Sequence, residues 1–206
     1  MTELNPGGSV IAEVLSSSIV AFSAEAVKQA KKPSFGSFVR VESSENNLAI
    51  YAVVLDVVTN PPDAVHRPAA LGLTRERLKA EQPHIFALLK TEIKACIIGY
   101  SQNSNVYLHL PPQPPDVHDF VYGATNDQVI ALTGDFDFLR LLIATPSSIP
   151  PDELIAAAVR EAAKARSSKV ESDAYLLQAG RALSQLLRSD YERMISVVRK
   201  IKPLEI

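Results

Sequence analysis

Gly36-Ser-Phe-Val-Arg-Val-Glu-Ser43 and, after residues 44–47, Leu48-Ala-Ile-Tyr-Ala-Val-Val-Leu-Asp-Val-Val58 decide the fold. Both stretches are rich in Val, Ile and aromatic residues, which suit a pleated chain. A glycine leads into the first, and Ser, Glu and Asn separate the two, so they read as an antiparallel pair. Asp56 interrupts the second stretch, the longest apolar candidate in the chain, and no apolar run approaches the 18 residues of a membrane span.

Outward from this pair the same pattern repeats. Short apolar stretches at residues 9–15, 19–24, 37–43, 49–59, 95–102 and 106–110 read as six strands separated by Gly, Pro, Asn and Ser. Closing them into a barrel removes the exposed edges that an open sheet would leave. Residues 60–94 interrupt the series as an excursion. It opens with Pro61-Pro62, then turns helical, with Thr74 as a cap and Pro83 ahead of His84-Ile-Phe-Ala-Leu-Leu-Lys90. Pro111-Pro-Gln-Pro-Pro115 follows the last strand as a stiff polyproline strap without ladder donors. Thr125 and Gln128 have capping-box spacing, and residues 136–143 supply a short apolar helix.

A seam at Thr145-Pro-Ser-Ser-Ile-Pro-Pro151 marks a change of period and of charge. Residues 1–150 hold eleven Lys and Arg against fifteen acidic residues, a balance of −4, whereas residues 151–206 hold ten against eight, +2. Residues 151–166 open with Asp152 and Glu153 and end with Lys164 and Arg166, the charge order that complements a helix dipole. Capping boxes at Ser168/Glu171 and Ser189/Glu192 start two further helices. Their inward faces are read as Leu176, Ala179, Leu183, Leu186 and Leu187, and as Tyr191, Met194, Ile195, Val198 and Ile201. These stripes suit packing on the chain's own barrel or on a neighbour equally well. The expected class is α+β: a small six-stranded antiparallel β-barrel over residues 1–124 with a helical insertion at 60–94, a short helical bridge at 125–150, and a C-terminal three-helix region at 151–206.

Composition excludes several classes. With 47% hydrophobic and 21% charged residues, net charge −2 and mean hydropathy +0.06, the chain is neither disordered nor broadly basic. A single cysteine, Cys96, leaves no intramolecular disulfide and no CxxC zinc site. It lies in the apolar run Ala95-Cys-Ile-Ile98 and reads as a small buried hydrophobe. No Lys or Arg precedes Lys28, so a charged signal-peptide region is missing and a cytoplasmic location is expected.

Catalytic signatures are absent from the sequence. It contains no G-x-x-x-x-G-K-[ST], no G-x-G-x-x-G and no G-x-S-x-G. Gly7-Gly8 and Gly36 read as turn material. Asp116, His118 and Asp119, with His109 nearby, are weak candidates for a divalent metal, because two carboxylates and two imidazoles can ligate one if the strap folds back. They are more simply solvated or capping residues on a loop, and His66 and His84 stand alone. Direct nucleic-acid contact would need an electropositive stripe. The candidates are Arg160, Lys164, Arg193 and Lys200, weighed against solvated helix faces.

The order of segments adds a family resemblance. Gly36-Ser-Phe-Val-Arg-Val41, Ile50-Tyr-Ala-Val-Val54, Ile97-Ile-Gly-Tyr100 and the proline strap leading to Val121-Tyr-Gly-Ala124 resemble the HAS-barrel, the barrel of HerA and ATP synthase, over residues 8–124. The resemblance implies a six-stranded barrel that, in HerA-type DNA translocases and ATP synthase subunits, precedes a P-loop ATPase and helps to close a ring. In the translocases it also implies contact with a nuclease. This sequence departs at the decisive place, since no Walker A motif follows Val121 and 206 residues leave no room for a RecA-like domain. The strap departs too, reading Pro115-Asp-Val-His-Asp-Phe120 where the translocases tend to show Pro-Gly. ATPase activity and nucleotide-binding residues therefore do not carry over, and the chain most resembles stand-alone bacterial HAS-barrel proteins. The expected function is a non-enzymatic protein-interaction or assembly module without a cofactor, docking onto itself or a larger complex without membrane insertion. The alternative is an accessory factor of a DNA-processing translocase or nuclease system.

Overall fold

A computed structural model describes residues 9–28, 30–43, 48–60, 72–146 and 148–201. Gly7-Gly8, Pro61-Pro62 and His66 lie outside them. The strands are β1 (Val10–Ser17), β2 (Ala21–Ala26), β3 (Phe38–Ser43), β4 (Leu48–Asn60), β5 (Lys90–Gln102), β6 (Asn105–Tyr107) and β7 (Phe120–Gly123). Their order is β2-β1-β7-β3-β4-β5, all antiparallel, and β5 pairs back with β2 to close a six-stranded barrel. Membership differs from expectation by one strand. The segment read as the sixth, β6, is a three-residue appendage of β5. The closing strand is β7, which slots between β1 and β3. Its four residues follow the proline-rich strap and are too few to show a period of two.

Alternation fills the barrel. Val39 and Val41 of β3, Ile50, Ala52 and Val54 of β4, and Ile93, Ala95 and Ile97 of β5 point inward with Ala12, Val14, Phe22, Ala24 and Val121. The opposite parity of β3, β4 and β5 is also apolar, with Phe38, Tyr51, Val53, Leu55, Cys96 and Ile98 facing outward into a second buried layer. That explains the near-continuous hydrophobic run of β4, since a strand covered on both faces need not alternate.

The cover is the helical region of the same chain. Helices α1 (Arg75–Glu81) and α2 (Pro83–Leu88) form the insertion between β4 and β5 and bury no residue. Helices α3 (Asn126–Thr133), α4 (Phe138–Ala144) and α5 (Pro151–Lys164) share the outer apolar layer with the barrel wall, and α6 (Lys169–Leu186) and α7 (Tyr191–Ile201) pack on α5. Six consecutive residues of α5, Leu154 to Val159, are buried because the helix is sandwiched. Its alanines permit close approach to the barrel, and Gly36, with φ +80°, lies against Ala157. Between α5 and α7 the charges interlock: Arg193 Nε to Asp152 at 2.7 Å and Lys200 Nζ to Glu153 at 2.6 Å.

Caps form largely where the spacing places them. Thr125 and Gln128 make a complete reciprocal box, and the Ser168 hydroxyl accepts from the Glu171 amide. Helix α7 starts one residue later than expected. Asp190, not Ser189, accepts from the Arg193 amide at 3.1 Å, because a charged carboxylate is the stronger acceptor for the orphan amides. Tyr191 is then 68% exposed, not inward, while Val197 and Ile201 are buried.

Candidate functional site

The two walls of the barrel differ in what covers them. The β3–β5 wall lies under the helices, whereas among the described residues no helix covers the outer face where β1 meets β7 and the strap. A bulge between Val14 and Ser16 leaves Leu15 without a partner on β2, and it is 46% exposed. The strap runs back along this strand. The His118 amide donates to the Val14 carbonyl and the Val14 amide to that of Asp119, both at 2.9 Å, and Phe120 lies opposite Glu13. Val117 and Phe120 are thereby brought beside Leu15, at 52% and 49% exposure. Pro115 anchors the strap by accepting from the Ser17 hydroxyl at 2.5 Å.

The sequence candidates take structural positions around this wall. His118 adopts φ +75° at the strap turn, and its Nδ1 lies 2.5 Å from Glu13 Oε1. Asp119 Oδ2 accepts from the Asp116 amide at 2.9 Å, so one carboxylate braces the turn and does not face a shared centre. His109 is elsewhere, edge-on to Tyr100 at 5.3 Å, where Tyr107 stacks on Tyr100 at 4.9 Å. Among the described residues no group of three or more His, Cys, Asp or Glu could hold a metal ion. The structure thus does not bring the metal candidates together, because the strap folds back onto β1 and not onto β6. Glu13 lies opposite Glu25 in the ladder, a repulsive placement. His118 and Lys90 each attend one of the two carboxylates.

The basic candidates are all engaged within the chain. Arg160 donates to the Lys200 carbonyl, Lys164 meets Glu161 at 2.6 Å, and Arg193 and Lys200 make the α5–α7 pairs. Arg166 is an internal joint: its guanidinium lies 3.4 Å from the Tyr175 ring centroid and donates to Thr133 Oγ1 at 3.2 Å. Burial lowers its pKa. An open groove of about 820 Å³ between α4 and the end of α6 is lined by Asp135, Asp137, Arg140 and Arg188. Arg140 pairs with Asp137 at 3.2 Å, and the balanced charges offer no field of one sign for a polyanion. Arg40 is buried on the outer face of β3, with Nη1 3.0 Å from Glu42 and its guanidinium 5.4 Å from the Tyr122 ring centroid.

The model of the HAS barrel domain matches residues 8–103. Residues 8–103 are a HAS barrel domain. The matched span contains β1 to β5 with the helical insertion, five of the six barrel strands, and β7 closes the HAS barrel from beyond it. No curated protein matches the chain. Among the described residues, no helix is long and apolar enough to cross a membrane.

One exposed wall residue of the HAS barrel, Leu15, was within reach of sequence reasoning. Ala12 and Val14 share one parity of β1, so Leu15 falls with Glu13 on the other, and an apolar residue on a polar face was the signal. Val117 and Phe120 gave none, because only the return of the strap places them there.

Cys96 belongs to the layer beneath the helices. It is fully buried, its Sγ donates to the Val53 carbonyl at 3.6 Å, and burial pushes the thiol up to about 12. The folded thiol keeps its proton above pH 9.0, where the unfolded chain loses it, so this contribution to stability is present below pH 9.0 and is lost as pH rises toward about 12. Tyr175, raised by burial from 10.0 to about 12, acts in the same direction. The urea midpoint is expected to fall above pH 9, and Cys96→Ala to flatten the first part of that fall. In the native protein a thiol-specific chromophoric reagent should titrate no cysteine until denaturant is added.

Proposed function

We propose that this HAS barrel chain is a non-enzymatic assembly module: it works by docking another protein onto its barrel and has no ATPase activity of its own. The supporting observation is the exposed apolar set Leu15, Val117 and Phe120 on the β1–β7 wall, while the opposite wall is committed to the chain's own helices. The barrel interior is filled with side chains, so its working surface is the outside. Neighbouring exposed apolar residues of this kind are the usual material of a protein interface.

The test is affinity purification from the native cell, with mass spectrometry of the proteins retained by wild type and by Phe120→Asp. A partner is expected with wild type and lost with the variant, whose melting temperature should stay within about 2 °C because the position is half-exposed. A chain that retains nothing and stays monomeric overturns the proposal, as does micromolar affinity for ATP by calorimetry. The accessory role in DNA processing draws less support, because Arg160, Lys164, Arg193 and Lys200 are held by partners within the chain. A translocase or nuclease among the retained proteins would favour it.

A further inference from the structure

Helix α6 turns a largely open face toward solvent, and at its far end Ser184 Oγ lies 3.6 Å from Met194 Sδ of α7. The inner side of α6 carries the buried Tyr175, Ala179 and Leu183. Half a turn round, Val170 is 79% and Leu177 60% exposed, with exposed Ala174 between them. At about 100° per residue, Leu177 lies at the centre of this face, and positions seven before and seven after it fall within about 20° of it.

Scattered exposed aliphatics need no explanation. Two further features of the same face do. Gly180 stands inside an 18-residue helix without a positive φ, and a Cβ added there would meet nothing within 4 Å. Neither its backbone conformation nor packing among the described residues calls for glycine, and alanine would make the better helix. Asp173 and Arg181, four residues to either side of Leu177, are exposed, and neither is held in an ion pair among the described residues. By contrast, Lys164, Arg193 and Lys200 all have acidic partners.

We infer that α6 is a self-association surface, on which two copies of this chain pair antiparallel about a two-fold axis at Leu177. Under that symmetry each residue faces the one equally far on the other side of Leu177. Asp173 meets Arg181 of the second copy, and the pair occurs twice. Ala174 and Gly180 of the second copy flank the seam on either side of Leu177, where small residues leave room for the leucine pair to pack, which supplies the reason for the glycine. Leu177 packs on its own symmetry mate, and Val170 lies over Ser184 of the second copy. The face is self-complementary, as an isologous interface requires. The charges set orientation and register more than affinity. A parallel pairing would stack like charges and align the helix dipoles. One helix pair is a small interface, so the dimer should dissociate on dilution.

This surface is separate from the β1–β7 wall, and its test is independent of the pull-down. Sedimentation of the whole chain over a concentration series should show the mass rising from 22.4 kDa toward twice that value. Asp173→Arg and Arg181→Asp should each weaken the dimer at least about tenfold, since like charges then meet twice. An equimolar mixture of the two variants should form a heterodimer, because one presents two arginines and the other two aspartates. Gly180→Ala should raise the melting temperature of the monomer while weakening the dimer, opposite effects that a role confined to folding would not produce. A chain that is monomeric up to about 100 μM overturns the inference and leaves the β1–β7 proposal to its own test. A dimer indifferent to both charge reversals and to their mixture also overturns it, while the assembly reading stands.

Discussion

Gly36→Ala is expected to lower the melting temperature by about 10 °C, from a loss of about 3–4 kcal/mol. Two costs coincide at this residue. Its φ of +80° disfavours any side chain, by about 1–2 kcal/mol. A Cβ there would also lie 2.5 Å from Ala157 Cβ, 2.7 Å from the Ala157 carbonyl carbon and 2.8 Å from the Ala158 nitrogen. Two of those atoms are helix backbone and cannot rotate away, so α5 must lift from the barrel, an overpacking cost of about 1–3 kcal/mol. Gly72→Ala is the matched control. Its φ is +66° with nothing within 4 Å of the added Cβ, so only the conformational cost of about 1 kcal/mol applies. Thermal unfolding followed by circular dichroism distinguishes the two, and equal effects would show that α5 does not press on the Gly36 turn.

Phe138→Ala should cost about 3–5 kcal/mol, and its effect should reach the whole chain. Phe138 is fully buried between α4 and the barrel wall, edge-on to Phe38 with ring centroids 6.2 Å apart. Barrel and helices share this layer, so the variant should unfold in one transition at lower temperature, with helical signal and Cys96 reactivity changing together. If the helices melt first and leave Cys96 protected, the layer is not cooperative. The shared layer also decides what the C-terminal helices do: their stripes pack on the chain's own barrel, through α5.

Much of the fold was legible because each local signal acts over a few residues. The both-face apolar run of β4, the Thr125–Gln128 box and the proline at the start of α5 all form where the residues imply them. Two readings shifted because the deciding interaction is not local. Residues 106–110 are apolar enough for a barrel strand, yet Phe120–Gly123 takes the place between β1 and β3. Closure depends on which segment reaches both edges, and the strap delivers the later one. Tyr191 reads as inward on spacing alone, but the Asp190 cap sets the start of α7 and leaves it in solvent.

For the candidate surfaces the division is sharper. Charge counts alone offered Arg160, Lys164, Arg193 and Lys200 as one stripe, but three of them are taken up by Glu161, Asp152 and Glu153 once the helices dock. Helical spacing could place Asp173, Leu177 and Arg181 on one face, but not tell which face of α6 would be left open.

By itself, then, the sequence determined the α+β class, the strand-rich front and helical back, the caps, and the lack of any phosphate-loop or nucleophile motif, because these follow from side-chain chemistry over short spans. Only the tertiary structure decided that β7 closes the barrel, that the helices cover its β3–β5 wall, and that Leu15, Val117 and Phe120 are left together on the other. Those outcomes depend on contacts between residues more than a hundred positions apart, as Gly36 and Ala157 are, and no local pattern records which distant partner a segment will meet.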